Sequence, residues 1–83
     1  MITIKETLLS YSDWYSDKVY KLILSKTEDD KGHVRFKYGR RGARYIDVDK
    51  GVMPYNKAYE LFHKQRESKL KKGYKVEYEE INI

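Results

Sequence analysis

Tyr38, Gly39, Arg40, Arg41 and Gly42 bring an aromatic ring, two guanidinium groups and two glycines into five consecutive residues. Arginine grips phosphate or carboxylate with a planar fork of donors, and a ring beside it can stack on a base or a sugar. Glycine tolerates positive φ, so Gly39 and Gly42 allow a sharp turn and a close approach to a partner. The stretch lies inside a run from Arg35 to Arg44 that contains no acid. Arg35, Lys37, Tyr38, Gly39, Arg40, Arg41 and Arg44 are therefore candidate nucleic-acid contacts, with the cations on phosphates and Tyr38 on a nucleotide. Two other readings stand beside this one. Tyr38 is in phase with Val34 and Phe36 and can be a core ring, and adjacent arginines can be solvated turn residues.

The charge distribution favours the contact reading. The chain of 83 residues carries a net charge of +5. Residues 1–30 are net acidic, whereas residues 31–50 hold seven basic and two acidic side chains. Such a local positive field concentrates polyanions at one surface, although a modest net charge also serves solubility alone. Other chemistries find no support. There is no cysteine, and His33 and His63 lack ligand spacing, so no metal is expected. No Ser/His/Asp set and no Gly-rich phosphate loop is present, so neither a catalytic residue nor a cofactor is expected, and the chain reads as a non-enzyme. No apolar run approaches the roughly 18–20 residues that cross a bilayer. The N-terminal residues do not resemble a signal peptide. The expectation is a soluble, intracellular and cytoplasmic protein, at the nucleoid or nucleus when bound to DNA.

The elements that must position these residues follow from periodicity. A length of 83 residues suits one domain spanning 1–83, with a net stability of roughly 3–5 kcal/mol. Ile2 to Tyr11 is rich in apolar and β-branched residues and reads as a strand. Lys18 to Lys26 alternates, with Tyr20, Leu22 and Leu24 on one face. Thr27 to Gly32 is a polar hairpin connection. His33 to Tyr38 alternates again, and Arg44 to Asp49 gives a fourth strand broken by Lys50 to Pro54. Asn56 is the expected N-cap of a helix that runs to Lys72. Its predicted apolar stripe is Ala58, Tyr59 and Phe62, extended by the stems of Arg66 and Lys69. Glu60–Lys64 and Glu67–Lys71 have the spacing of favourable pairs. Lys69 and Lys72 lack such a partner and join the phosphate candidates. Gly73 is the expected stop, and Lys75 to Tyr78 forms a last short strand. This order predicts an α+β domain, an antiparallel sheet of about four to five strands with one helix on a face.

Three blocks then carry a family resemblance: Lys18-Val19-Tyr20-Lys21-Leu22-Ile23-Leu24, Phe36-Lys37-Tyr38-Gly39-Arg40-Arg41-Gly42, and Ala58 through Lys71-Lys72-Gly73-Tyr74. In this order and spacing the chain resembles the WGR domain, a module of DNA-dependent poly(ADP-ribose) polymerases and of many bacterial proteins. The resemblance implies an antiparallel sheet with one packed helix. It also implies DNA contact near a strand break, an aromatic residue packed on the terminal nucleotide, and basic residues on the backbone. By resemblance Tyr38 takes the aromatic role and Arg40 the arginine role, with Tyr38 standing where the family has Trp. The polymerase catalytic domain is absent, so no ADP-ribosyl transfer is implied.

The function read from the sequence is thus a small module that binds nucleic acid, DNA ahead of RNA, through its backbone. The first rival is a protein-interaction module, with a partner protein or self-association in place of DNA. Trp14 and Tyr15 are its candidate contact, because an exposed Trp can anchor a partner. The commoner fate of a lone Trp is to fold back over a sheet edge. The second rival is a small basic ribonuclease toxin, a family that opens with helices where this chain opens with strands.

Overall fold

The computed structural model describes residues 1–82. Strands β1 (Ile2–Ser12), β2 (Asp17–Lys26), β3 (Lys31–Arg40) and β4 (Ile46–Pro54) are followed by helix α1 (Tyr55–Lys71) and strand β5 (Lys75–Ile81). The five strands form one sheet in the order β4-β3-β2-β1-β5, with every neighbouring pair antiparallel. The helix packs on one face of the sheet, so the domain is α+β as expected. No helix among the described residues is long and apolar enough to cross a membrane.

Strand alternation decides which side chains meet the helix. Leu9 on β1, Tyr20, Leu22 and Leu24 on β2, and Val34 and Phe36 on β3 form the core with Ala58 and Phe62 of α1. Each large apolar side chain buried in this way contributes about 1.5–3 kcal/mol, which suffices only because a single helix and a single sheet face must be joined. Tyr59, expected in the stripe, is 49% exposed and lies against His63 with ring centroids 4.3 Å apart. Leu61, Leu70 and Met53 pack at the edge of the core instead.

Several boundaries differ from the sequence reading. Strand β4 starts at Ile46 and runs through Lys50–Pro54 rather than stopping there. Val52, Met53 and Pro54 pair with His33, Gly32 and Lys31, and a register shift between His33 and Arg35 absorbs the irregularity at Gly51. Pro54 fits because β4 is an edge strand, where a missing N–H costs no ladder bond. The helix begins at Tyr55, so Pro54 occupies the N-cap position, with no side-chain cap. Asn56 therefore lies inside the first turn. The expected Glu60–Lys64 and Glu67–Lys71 pairs are also replaced: Glu60 lies 3.9 Å from Lys57, and Glu67 lies 3.0 Å from Arg66. Arg66 is drawn toward β5 by Glu79, 2.7 Å away, and takes Glu67 with it. Gly73 ends the helix as expected. It has φ +102, its N–H donates to Leu70 O, and the Tyr74 N–H donates to Lys69 O, the paired bonds of a Schellman turn.

The N-terminal half of α1 rests on Gly32. A Cβ there would lie 2.3 Å from Ala58 Cβ and 3.2 Å from Tyr55 Cα, so helix and sheet approach as closely as glycine allows. Gly32→Ala is expected to destabilise the domain by about 1–3 kcal/mol through overpacking. For a domain this small that corresponds to several degrees in melting temperature. Thermal denaturation checks this, and adding Ala58→Gly should recover more stability than the two single changes predict.

Candidate nucleic-acid interface

Along β3 the predicted contact residues divide between two faces. Tyr38 follows Val34 and Phe36 toward the helix side, and Arg40 continues the same phase. Arg35 and Lys37 point to the uncovered side. Lys18 pairs with Arg40 across β2 and β3, and Tyr20 pairs with Tyr38, so these four side chains share the helix-side face beyond the helix end.

The centre of this end is Tyr20, 5% exposed. Its ring stacks on Tyr38, with centroids 5.2 Å apart and planes at 12°. It also meets Tyr74 edge-on at 6.3 Å, and Tyr74 in turn lies 5.7 Å from Tyr11. Gln65 Nε2 donates to the Tyr20 hydroxyl at 2.8 Å. Burial raises the Tyr20 pKa, so the hydroxyl stays protonated at neutral pH. One turn further along α1, Lys69 Nζ lies 4.6 Å from the Tyr20 ring centroid and 5.7 Å from that of Tyr74. Such placements are favourable cation–π contacts. Burial, together with the positive charges of Lys72 and Lys18, lowers the Lys69 pKa.

Two shallow hollows open here. One of 330 Å³ is lined by Tyr11, Asp13, Ser16, Lys18, Lys69, Lys72 and Tyr74. The other, of 450 Å³, is lined by Tyr15, Ser16, Asp17, Lys18, Tyr38, Gly39, Arg40 and Ile46. They share Ser16 and Lys18, so they form one trough with Lys18 at its middle. Among the described residues no carboxylate approaches within 4.0 Å of the charged groups of Lys18, Arg40, Lys69 or Lys72.

The remaining predicted cations are placed differently. Arg35 lies 3.3 Å from Asp47 and 3.5 Å from Asp49, and Lys37 lies 3.9 Å from Asp47. Arg41 bonds Asp17 at 3.2 Å and also Glu77, and both acids raise its pKa, Glu77 the more. These three are ion-paired. Arg44 is exposed in the β3–β4 loop. The sequence thus named Tyr38, Gly39, Arg40, Lys69 and Lys72 of this trough but missed Lys18, Tyr11, Tyr20 and Tyr74. The signal for Lys18 was available, since it shares the alternation of Tyr20, but its meeting with Arg40 needed the hairpin register.

Trp14 does not fold back over the sheet. It is 96% exposed and Tyr15 is 90% exposed. The loop is a closed turn: Asp13 N–H donates to Ser16 O at 2.8 Å, and the N–H groups of Tyr15 and Ser16 donate to Asp13 Oδ1.

The uncovered sheet face has its own hollow of 320 Å³, lined by Leu8, Val19, Lys21, Tyr45 and Tyr78 among others. Tyr78 donates to Glu6 at 2.7 Å, and Lys21 lies 3.6 Å from the same carboxylate. No protein-family model matches this chain, no curated protein matches it, and no solved structure matches it.

Two outcomes follow from this geometry. Tyr38→Ala removes a stacked, half-buried ring, and it is expected to cost about 1–2 kcal/mol in a denaturant titration while leaving the fold intact. Tyr38→Phe should cost much less. The Glu6 contact raises the Tyr78 pKa from 10.0 to about 12. A raised pKa means that the stabilisation is complete below the unfolded value and is lost as pH rises through the folded one. Carbon-13 NMR of the Tyr78 ring should therefore show ionisation near the raised value, and Glu6→Gln should move it back toward the ordinary tyrosine range.

Proposed function

We propose that this chain is a WGR-like, non-enzymatic module that binds nucleic acid, DNA ahead of RNA, along the trough centred on Lys18. One observation carries the reading. Among the described residues Lys18, Arg40, Lys69 and Lys72 gather beside the Tyr20–Tyr38 stack with no carboxylate in ion-pair contact, Asp13 and Asp17 lying at the rim, whereas Arg35, Lys37 and Arg41 are paired with acids. Cations free of acids are the feature that phosphate binding needs. Tyr38 stands where the WGR motif has Trp, and Arg40 stands at the motif arginine. The phenol is partly buried on Tyr20, so its free edge serves a nucleotide while its face serves the core. Binding through the backbone carries no sequence preference, and its setting is the interior of the cell, where nucleic acid is. Membrane, cofactor and metal have no part in it.

A second reading, a protein-interaction module, is favoured by the uncovered sheet face and its hollow between Leu8, Val19 and Tyr78. Salt dependence separates the two. Binding through about four phosphates should give log K against log salt a slope of about −3.6 on duplex DNA, with a dissociation constant near micromolar at physiological salt. Lys69→Ala with Lys72→Ala should flatten the slope by about two. Arg35→Ala with Lys37→Ala should leave it unchanged. Affinity that ignores salt would remove the phosphate reading.

A further inference from the structure

We infer that the β1–β2 loop is a base-stacking platform: Tyr15 and Trp14 receive the unpaired bases of a single-stranded segment whose backbone lies in the Lys18 trough. The inference rests on the proposed phosphate-binding role of that trough. Its own observations are three.

The rings are fully available, at 96% exposure for Trp14 and 90% for Tyr15. Their exposure is built rather than frayed. Asp13 Oδ1 accepts the N–H groups of Tyr15 at 2.9 Å and Ser16 at 2.7 Å, and its Oδ2 accepts the Tyr11 hydroxyl at 3.1 Å. A loop held in this way presents its two tip residues outward with little ordering left to do on binding.

Tyr15 also borders the free cations. Tyr15 lines the same hollow as Lys18, Tyr38 and Arg40. The loop's acids are occupied: Asp13 closes the turn, and Asp17 pairs with Arg41. Both acids stand at the rim of the trough, but its four cations, Lys18, Arg40, Lys69 and Lys72, outnumber them, and that balance favours a polyanion.

The third observation is that Trp14, at the tip, lies outside the lining of either hollow. A ring in that position meets a base only if the base is splayed away from the backbone. In a duplex the base faces are already stacked, so the occupant is single-stranded. Aromatic platforms beside a basic groove are a sequence-tolerant way to hold such a strand.

Trp14 is the only tryptophan, so its fluorescence reports stacking directly. The intact chain is titrated with an oligothymidylate of about ten nucleotides and with a blunt duplex of similar length. The single strand is expected to quench Trp14 and the duplex is not. Trp14→Ala and Tyr15→Ala should each weaken single-strand binding roughly 5- to 150-fold at constant salt, with melting temperature unchanged in both and duplex affinity unchanged in Trp14→Ala. Trp14→Phe and Tyr15→Phe should largely restore binding. Single-strand binding that survives both alanine variants, with Trp14 unquenched, overturns the platform and leaves the phosphate surface standing. Failure of the wild type to bind either oligonucleotide overturns both. A nuclease-resistant protein partner lost on Trp14→Ala, with oligonucleotide binding intact, overturns the platform in favour of a protein contact.

Discussion

A buried phenol must find a hydrogen-bond partner, and in this domain the partner of Tyr20 comes from the helix. Burying a hydroxyl unpaired costs a few kcal/mol, a large share of what so small a domain has. Gln65 supplies the bond from the same helix that Ala58 and Phe62 seat on the sheet. Residues four positions apart lie on one helix face, so Lys69 must follow Gln65 over the Tyr20 ring. Gly73 then turns the chain so that Tyr74 closes against the other edge of Tyr20. At the opposite end of the helix, Gly32 lets Ala58 sit directly on β3. Core and candidate interface are thus one continuous contact surface, apolar where Ala58 and Phe62 meet the sheet and cationic where Lys69 does.

The same alternation that builds the core explains why a basic run is not a basic patch. From Arg35 to Arg40 successive side chains of β3 point to opposite faces. Arg35 and Lys37 meet the acids of β4, Asp47 and Asp49, directly across the pairing register. Arg41 reaches Asp17 and Glu77. Arg40, in the other phase, meets Lys18, a cation where its neighbours find anions. The uncovered face is therefore a lattice of compensated charge, and such exposed pairs contribute little stability each. Lys18, Arg40, Lys69 and Lys72 bring four cations without an ion-pair contact among the described residues together at the helix-side end.

Most of the architecture was legible in the sequence because it rests on short-range periodicity. The alternation of Tyr20, Leu22 and Leu24, the phase of Val34, Phe36 and Tyr38, and the glycine stop at Gly73 all hold. What was not legible depends on contacts distant in sequence. Lys50 to Pro54 reads as a break when taken alone, and it becomes strand only because Lys31, Gly32 and His33 offer it a partner. Glu67 reads as the mate of Lys71 until Glu79, on a strand beyond the helix, pulls Arg66 into reach. For the candidate site the cations could be named, but not which of them are quenched, since Asp47, Asp49 and Glu77 reach them only across strand or sheet neighbours. Of the two readings of Tyr38, the structure bears out the core one: its ring stacks on Tyr20, and its residue also lines the trough.

Lys69 shows what the trough lacks in the free protein. Its ammonium is partly desolvated and faces two further positive charges, Lys72 and Lys18, and these together lower its pKa. A lowered lysine pKa means that the fold disfavours the charged form, so at neutral pH the protonated side chain holds the native state below the stability it would otherwise have. Rings of Tyr20 and Tyr74 offset part of that cost but supply no counter-charge. An anion seated among the three lysines supplies it. By linkage, whatever binds the native state and not the unfolded chain stabilises the native state, so a phosphate bound there, as proposed, would also relieve the repulsion built into the end of α1. The trough is in this sense an incomplete ionic cluster, with every other cation of β3 already matched from within the chain and these left for a ligand to match.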